Sequence, residues 1–110
     1  MSGWIGFDLD GTLAKHGSWQ GPNHIGEPIP EMIERVRGYL RRRIEVRIVT
    51  ARASTGDPAT IAAIEHWCIS CIGQVLPITC SKDYQMLCLF DDRAIAVETN
   101  TGRILGGEIP

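Results

Sequence analysis

The sequence predicts a single α/β domain, residues 1–110, with a mainly parallel sheet and helices on both faces. Three observations carry that expectation. Short apolar runs rich in β-branched residues alternate with segments of helical period; several of those runs stop at Asp or Thr; and the residues between them are those that cap helices and turn chains. At 110 residues the chain is long enough for one hydrophobic core and too short for two domains of ordinary size.

Residues 4–9 (WIGFDL) are an apolar run that gives way to Asp10-Gly11-Thr12, as a buried strand gives way to a loop. Residues 13–29 carry Gly17, Gly21, Pro22, Gly26 and Pro28 without a clear period and read as an irregular excursion. A helix is expected from Pro30, a favoured first-turn residue, with Met32, Ile33, Val36 and Leu40 on one face. Arg41, Arg42 and Arg43 close it, opposite Glu31 and Glu34 at its start, which reads as compensation of the helix dipole. Residues 45–50 (EVRIVT) alternate and are β-branched, a second strand ending at Thr50. Asp57 and Pro58 make a cap and first-turn pair for a second helix, with Ile61, Ile64, Cys68 and Cys71 as its apolar stripe and Gly73 at its end. Residues 75–79 and 87–90 are two further strands. Residues 94–98 and 103–105 flank Asn100-Thr101-Gly102, a loop suited to a hairpin with Gly102 left-handed.

The composition, 44% hydrophobic and 22% charged with a formal net charge of -2, is that of a globular domain and offers no bulk positive charge for nucleic acid. The start, MSGWIGFDLD, lacks a basic segment followed by a long apolar one, and no run approaches the ~18 apolar residues of a membrane span. A cytoplasmic protein with no membrane partner is the expectation. Its four cysteines are then reduced thiols. Cys68 and Cys71 form a CxxC, but they continue a helical apolar stripe, and Cys88 lies inside an apolar strand, so all four read as buried structural thiols rather than zinc ligands.

Chemistry concentrates where strands end. In an open parallel sheet the ligand crevice lies beyond the carboxyl ends of the strands, and Asp8, Asp10, Thr50, Asp91 and Asp92 all fall there. Residues two apart in a strand share a side, so a strand running on to Asp10 sets its carboxylate with that of Asp8 beside one substrate. Close carboxylates invite a divalent cation, and magnesium takes oxygen ligands together with substrate phosphate. Asp91-Asp92, by themselves a solvated turn, follow the strand LCLF and complete a metal site. Thr50 offers a hydroxyl donor and Lys82 a point positive charge for phosphoryl oxygens.

The segments FDLDGTLA at 7–14, IVTAR around Thr50, CSKDY around Lys82 and LFDDR around Asp91 and Asp92 resemble the four ordered motifs of the haloacid dehalogenase superfamily. The resemblance spans residues 4 to about 98. It implies a Rossmann-like core with strand order 3-2-1-4-5. It further implies a phosphomonoester hydrolase in which Asp8 is the nucleophile that becomes phosphorylated and Asp10 the acid/base, with Thr50 and Lys82 holding phosphoryl oxygens. Magnesium would be held by Asp8, the Asp10 main-chain carbonyl and Asp91, with Asp92 assisting. Superfamily members that cleave carbon–halogen bonds generally lack the second aspartate, so Asp10 argues for phosphatase chemistry. Residues 13–29 and 51–81 leave no room for a separate cap domain. With little to cover the site, His16, Trp19 and His24 of the excursion and Arg52 are expected to contact substrate, a small-molecule or polymer phosphomonoester. Nucleic acid enters only as such a substrate, through a polynucleotide 3′-phosphate, because Thr50-Ala51-Arg52 and the Asp pair also resemble the phosphatase half of polynucleotide kinase/phosphatases. Two other classes compete: a receiver-like signalling module, in which the phosphorylated Asp resembles a mid-chain position rather than one on the first strand, and a catalytically weak phosphate-binding module.

Overall fold

The computed structural model describes residues 2–110. Its centre is a four-stranded, wholly parallel sheet of β1 (Trp4–Asp8), β2 (Glu45–Val49), β3 (Ile78–Thr79) and β4 (Met86–Phe90), in the order β3-β2-β1-β4. The α/β class and the central 3-2-1-4 order are those expected. A fifth strand is not added. Residues 96–97 (β5, Ala96–Val97) instead pair antiparallel with β6 (Ile104–Gly106) in a separate hairpin. Asn100 and Gly102 take positive φ values of 66° and 80° at its turn, Gly102 as expected.

Helix α1 (Pro30–Arg41) starts on Pro30 and has Glu31 in its first turn and Arg41 in its last. Arg43, φ 59°, occupies the left-handed position beyond the helix end that glycine usually fills. Helix α2 (Pro58–Cys71) is capped by the Asp57 carboxylate, which accepts from the Ala59 N–H at 3.0 Å. Its buried face is Thr60, Ile64, Trp67 and Cys68, while Ile61 and Cys71 are only half-buried, so the predicted stripe is rotated. The cause is polar anchoring: Trp67 Nε1 donates to the Gly26 carbonyl at 2.9 Å and Thr60 Oγ1 to Asn23 Oδ1 at 3.0 Å, turning that side of the helix onto residues 13–29.

Both helices lie on one face of the sheet, where the sequence predicts helices on both faces. Ile5, Phe7, Val46 and Ile48 share that face by register and join Ile33 and Val36 of α1 and Ile64, Trp67 and Cys68 of α2 in one core. Arg37 of α1 donates to the carbonyls of Cys71 and Ile72 at the end of α2, which sets the helices side by side. The reason is handedness. The crossovers β1 to β2 and β2 to β3 step the same way, so right-handed connections put both helices on one side, and the return from β3 to β4 belongs on the other. That return is the six-residue segment 80–85 rather than a helix. Asp83 accepts from Trp4 Nε1 at 2.8 Å and from Arg47 Nη1 at 3.4 Å, and Arg47 lies 4.5 Å over the Trp4 ring, pinning the segment to the second face.

The thin second layer also exposes β4. Cys88, expected to be buried, is exposed because β4 is an edge strand with no helix over it, and Cys80 is exposed on the connection; Cys68 alone is fully buried and Cys71 is half-buried. All four are free thiols, and burial pushes those of Cys68 and Cys71 above the usual thiol range. No helix among the described residues is long and apolar enough to cross a membrane.

Candidate active site

β1 ends at Asp8, and the chain then folds back on itself in one tight turn. The Leu9 carbonyl accepts from the N–H groups of Thr12, Leu13 and Ala14, and Gly11 donates to the Ala14 carbonyl at 2.8 Å. Gly11 has φ +91°, and a Cβ there would collide with the Asp92 carboxylate, so this position requires glycine twice over. Buried Thr12 then ties the turn to the end of β4: its hydroxyl donates to Asp92 Oδ1 at 3.2 Å and accepts from the Asp92 N–H at 3.0 Å. Asp91 is fixed through Oδ1, which accepts from the Arg93 N–H at 2.7 Å.

Asp8, Asp91 and Asp92 are thereby brought together, each offering an oxygen within 4.8 Å of the others. Burial, a hydrogen bond with Asp92, and the negative charges of Asp91 and Asp92 push the Asp8 carboxyl up to about 7, against the opposing pull of the Leu9 N–H. Three hard oxygen donors gathered this closely suit a magnesium-sized cation, which would supply the missing positive charge. The Asp10 carboxylate is not one of the three.

Asp10 is held by Arg52 instead. Nε and Nη2 of Arg52 donate to the two Asp10 oxygens at 2.8 and 2.9 Å, and His16 Nδ1 lies 3.8 Å from Oδ1. The remaining nitrogen, Nη1, donates to the Pro22 carbonyl at 2.6 Å and the Gly21 carbonyl at 3.4 Å, and the guanidinium lies 4.9 Å under the Trp19 ring. Expected as a substrate contact, Arg52 is nearly buried with its donors engaged, and it acts as a clamp between the acid/base candidate and the 13–29 segment. A bidentate fork of this kind fixes orientation in a way a lysine cannot. The same segment is stitched at its base, where Lys15 N–H donates to Glu27 and Ile29 N–H to Leu13.

Thr50 ends β2 and is buried. Its N–H donates to the Thr79 carbonyl, and Oγ1 accepts from the Arg52 N–H at 3.2 Å, leaving the hydroxyl hydrogen for another acceptor. An open cavity of about 790 Å³ has Asp8, Asp10, Thr50, Asp91 and Trp19 in its walls, and a smaller one of about 350 Å³ adjoins it across Asp10 and Arg52, with His16 and His24 among its lining. Asp8, Asp10, Thr50, Asp91, His16, Trp19 and His24 each line one or both of these cavities. Lys82 does not: it is exposed and lines neither cavity. Its neighbour Asp83 is pinned to Trp4, which begins β1, about 13 Å along the strand from Asp8. Arg93 lines the larger cavity, as does Arg52, whose donors are engaged by Asp10 and the Gly21 and Pro22 carbonyls. Gly11 turns the chain as its place after Asp10 implies, whereas the role of Thr12 and the Arg52–Asp10 pair were not read from the sequence.

The carboxylate cluster sets a testable pH dependence. A carboxyl raised in the folded state contributes stability that is fully present below its ordinary value near 3.8 and is lost as pH rises through about 7. The Arg41 and Arg103 pairs that lower Glu34 and Glu98, and the Trp4 hydrogen bond that lowers Asp83, act only at the acid end of the range. Metal-free protein is thus expected to melt lower at about pH 8 than at about pH 5. Magnesium is expected to raise the melting temperature more at about pH 8, by the equivalent of roughly 2.7 kcal/mol at a hundredfold excess over Kd. Differential scanning calorimetry at the two pH values, with and without magnesium, measures both.

The sequence matches no family model and no curated protein. Among solved structures, a conserved protein from Bacteroides thetaiotaomicron is similar with a TM-score of 0.60 at 20% identity, over 86% of this chain and 78% of that one. The likeness shows the α/β fold.

Proposed function

We propose that this chain is a small, capless phosphohydrolase of the haloacid dehalogenase type, hydrolysing phosphomonoesters through a phosphorylated Asp8 with magnesium as cofactor. One observation carries the reading: beyond the ends of the parallel strands, Asp8 meets two further carboxylates and shares a cavity with Asp10 and Thr50. The strand order supports it, since Asp8 ends the central first strand of a 3-2-1-4 sheet, whereas receiver-type folds follow a 2-1-3-4-5 order.

Asp8, Asp91 and Asp92 would hold the cation, which when bound neutralises the crowded carboxylates and the phosphoryl oxygens. An Asp8 oxygen attacks phosphorus as the ester P–O bond breaks, and Asp10 gives its proton to the departing oxygen. Asp10 then takes a proton from water as the water oxygen attacks phosphorus, restoring Asp8 and releasing phosphate. The Thr50 hydroxyl donates to a phosphoryl oxygen, and Arg93 supplies the charge expected of Lys82. Both Asp10 oxygens accept from Arg52 at rest, so one of those bonds opens when Asp10 carries the proton, and the other holds the carboxyl beside the leaving group.

A second reading, a phosphate-binding module that does not turn over, is favoured by the position of Lys82 away from the cavity. Assay of the purified protein on an aryl phosphate separates the two. Hydrolysis that needs magnesium and stops in excess chelator is the expected result; phosphate binding without release of the phenol would favour the module.

A further inference from the structure

Trp19 is 62% exposed, an unusual place for an indole, yet it is not loosely held: one face rests on the Arg52 guanidinium, 4.9 Å away, and that guanidinium is fixed by Asp10, Gly21 and Pro22. The indole is therefore backed on one side by a fixed cation and largely open to solvent. It stands in the wall of the same cavity as Asp8 and Asp10. Asp10 and Trp19 both contact the Arg52 guanidinium and line one cavity, so a leaving oxygen that reaches Asp10 brings its organic group close to the indole. About 790 Å³ is room for a phosphoryl group and a group of nucleoside size together.

From this we propose that Trp19 is the stacking platform for a flat heteroaromatic leaving group, so that the preferred esters are nucleoside monophosphates, free or at the end of a polynucleotide. The proposal rests on the phosphohydrolase reading. Aromatic faces accept any base without reading its edge, and the cation beneath the indole adds to its rigidity and polarisation. The adjoining cavity of about 350 Å³, with Lys15, His16, Gln20 and His24 in its walls, offers donors and acceptors for the polar rim of such a group.

The experiment compares specificity constants, with magnesium, for nucleoside monophosphates, a short 3′-phosphorylated oligonucleotide, glycerol phosphate and a hexose phosphate, in the wild type, Trp19→Leu and Trp19→Phe. The nucleotide esters are expected to be preferred over the aliphatic ones, and Trp19→Leu to shrink that preference about tenfold or more, with Trp19→Phe keeping most of it. Loosening of Arg52 slows every ester together, so the ratio isolates stacking. A preference confined to free nucleotides, or extending to the oligonucleotide, identifies the source of the base and supports the proposal either way. In parallel, unphosphorylated nucleoside is titrated against tryptophan fluorescence; Trp4 and Trp67 are buried, so quenching reports Trp19. Ester hydrolysis with a ratio indifferent to Trp19 would overturn the platform and leave the phosphohydrolase reading standing. Absence of hydrolysis on every ester, with nucleoside quenching that disappears in Trp19→Phe, would remove the phosphohydrolase reading and keep the platform. Neither hydrolysis nor quenching removes both.

Discussion

Asp8→Asn is expected to abolish phosphatase turnover while making the metal-free protein more stable near neutral pH. The two effects have one origin. The amide cannot attack phosphorus, and it also removes a charge from a cluster whose repulsion and burial push the Asp8 carboxyl up to about 7. A variant that is inactive and melts higher cannot be dismissed as misfolded. Parallel measurement of aryl phosphate hydrolysis and chelator-treated melting temperature checks it, and wild-type turnover by the variant would remove Asp8 from the chemistry.

The second large effect belongs to Asp10. Asp10→Asn is expected to lower kcat by about 10² to 10⁴ on alkyl esters, the usual worth of a positioned acid/base. The loss on the formation of phosphorylated enzyme should be smaller for an aryl phosphate with a good leaving group, because such an oxygen departs without help. Arg52→Lys is a gentler version of the same test, since a lysine cannot reproduce the two parallel bonds at 2.8 and 2.9 Å. The checking measurement is the slope of log kcat/KM, which reports the cleavage of the ester bond, against leaving-group pKa, and it is expected to steepen in both variants.

Residues whose environment is local were legible in the sequence. Asp8 at the end of an apolar run, Thr50 at the end of an alternating one, Asp57 before Pro58 and Gly102 in a hairpin turn each declare themselves within a few neighbours, and each stands where it was expected. What escaped depends on distant partners. Arg52 looked like a free cation because nothing in its vicinity reveals a carboxylate 42 residues earlier. Cys88 looked buried because an apolar strand does not say whether it lies at an edge. Lys82 looked like a phosphate ligand on the strength of resemblance, and the tether of Asp83 to Trp4 and Arg47 carries that segment across the second face. The helix on the second face failed for the same reason: a six-residue return has too little chain for one, which is visible only once the order of the strands is known.

The central claim, a covalent phosphate on Asp8, is most directly tested in Asp10→Asn, which keeps the nucleophile and lacks the base that activates water. The variant is mixed with magnesium and an aryl phosphate with a good leaving group, quenched in acid, digested and analysed by mass spectrometry. The account predicts a burst of phenol matched by one phosphoryl group on the peptide containing Asp8, labile to alkali. Phenol released in stoichiometric amount with that peptide unmodified, or the phosphoryl group on another residue, would contradict it.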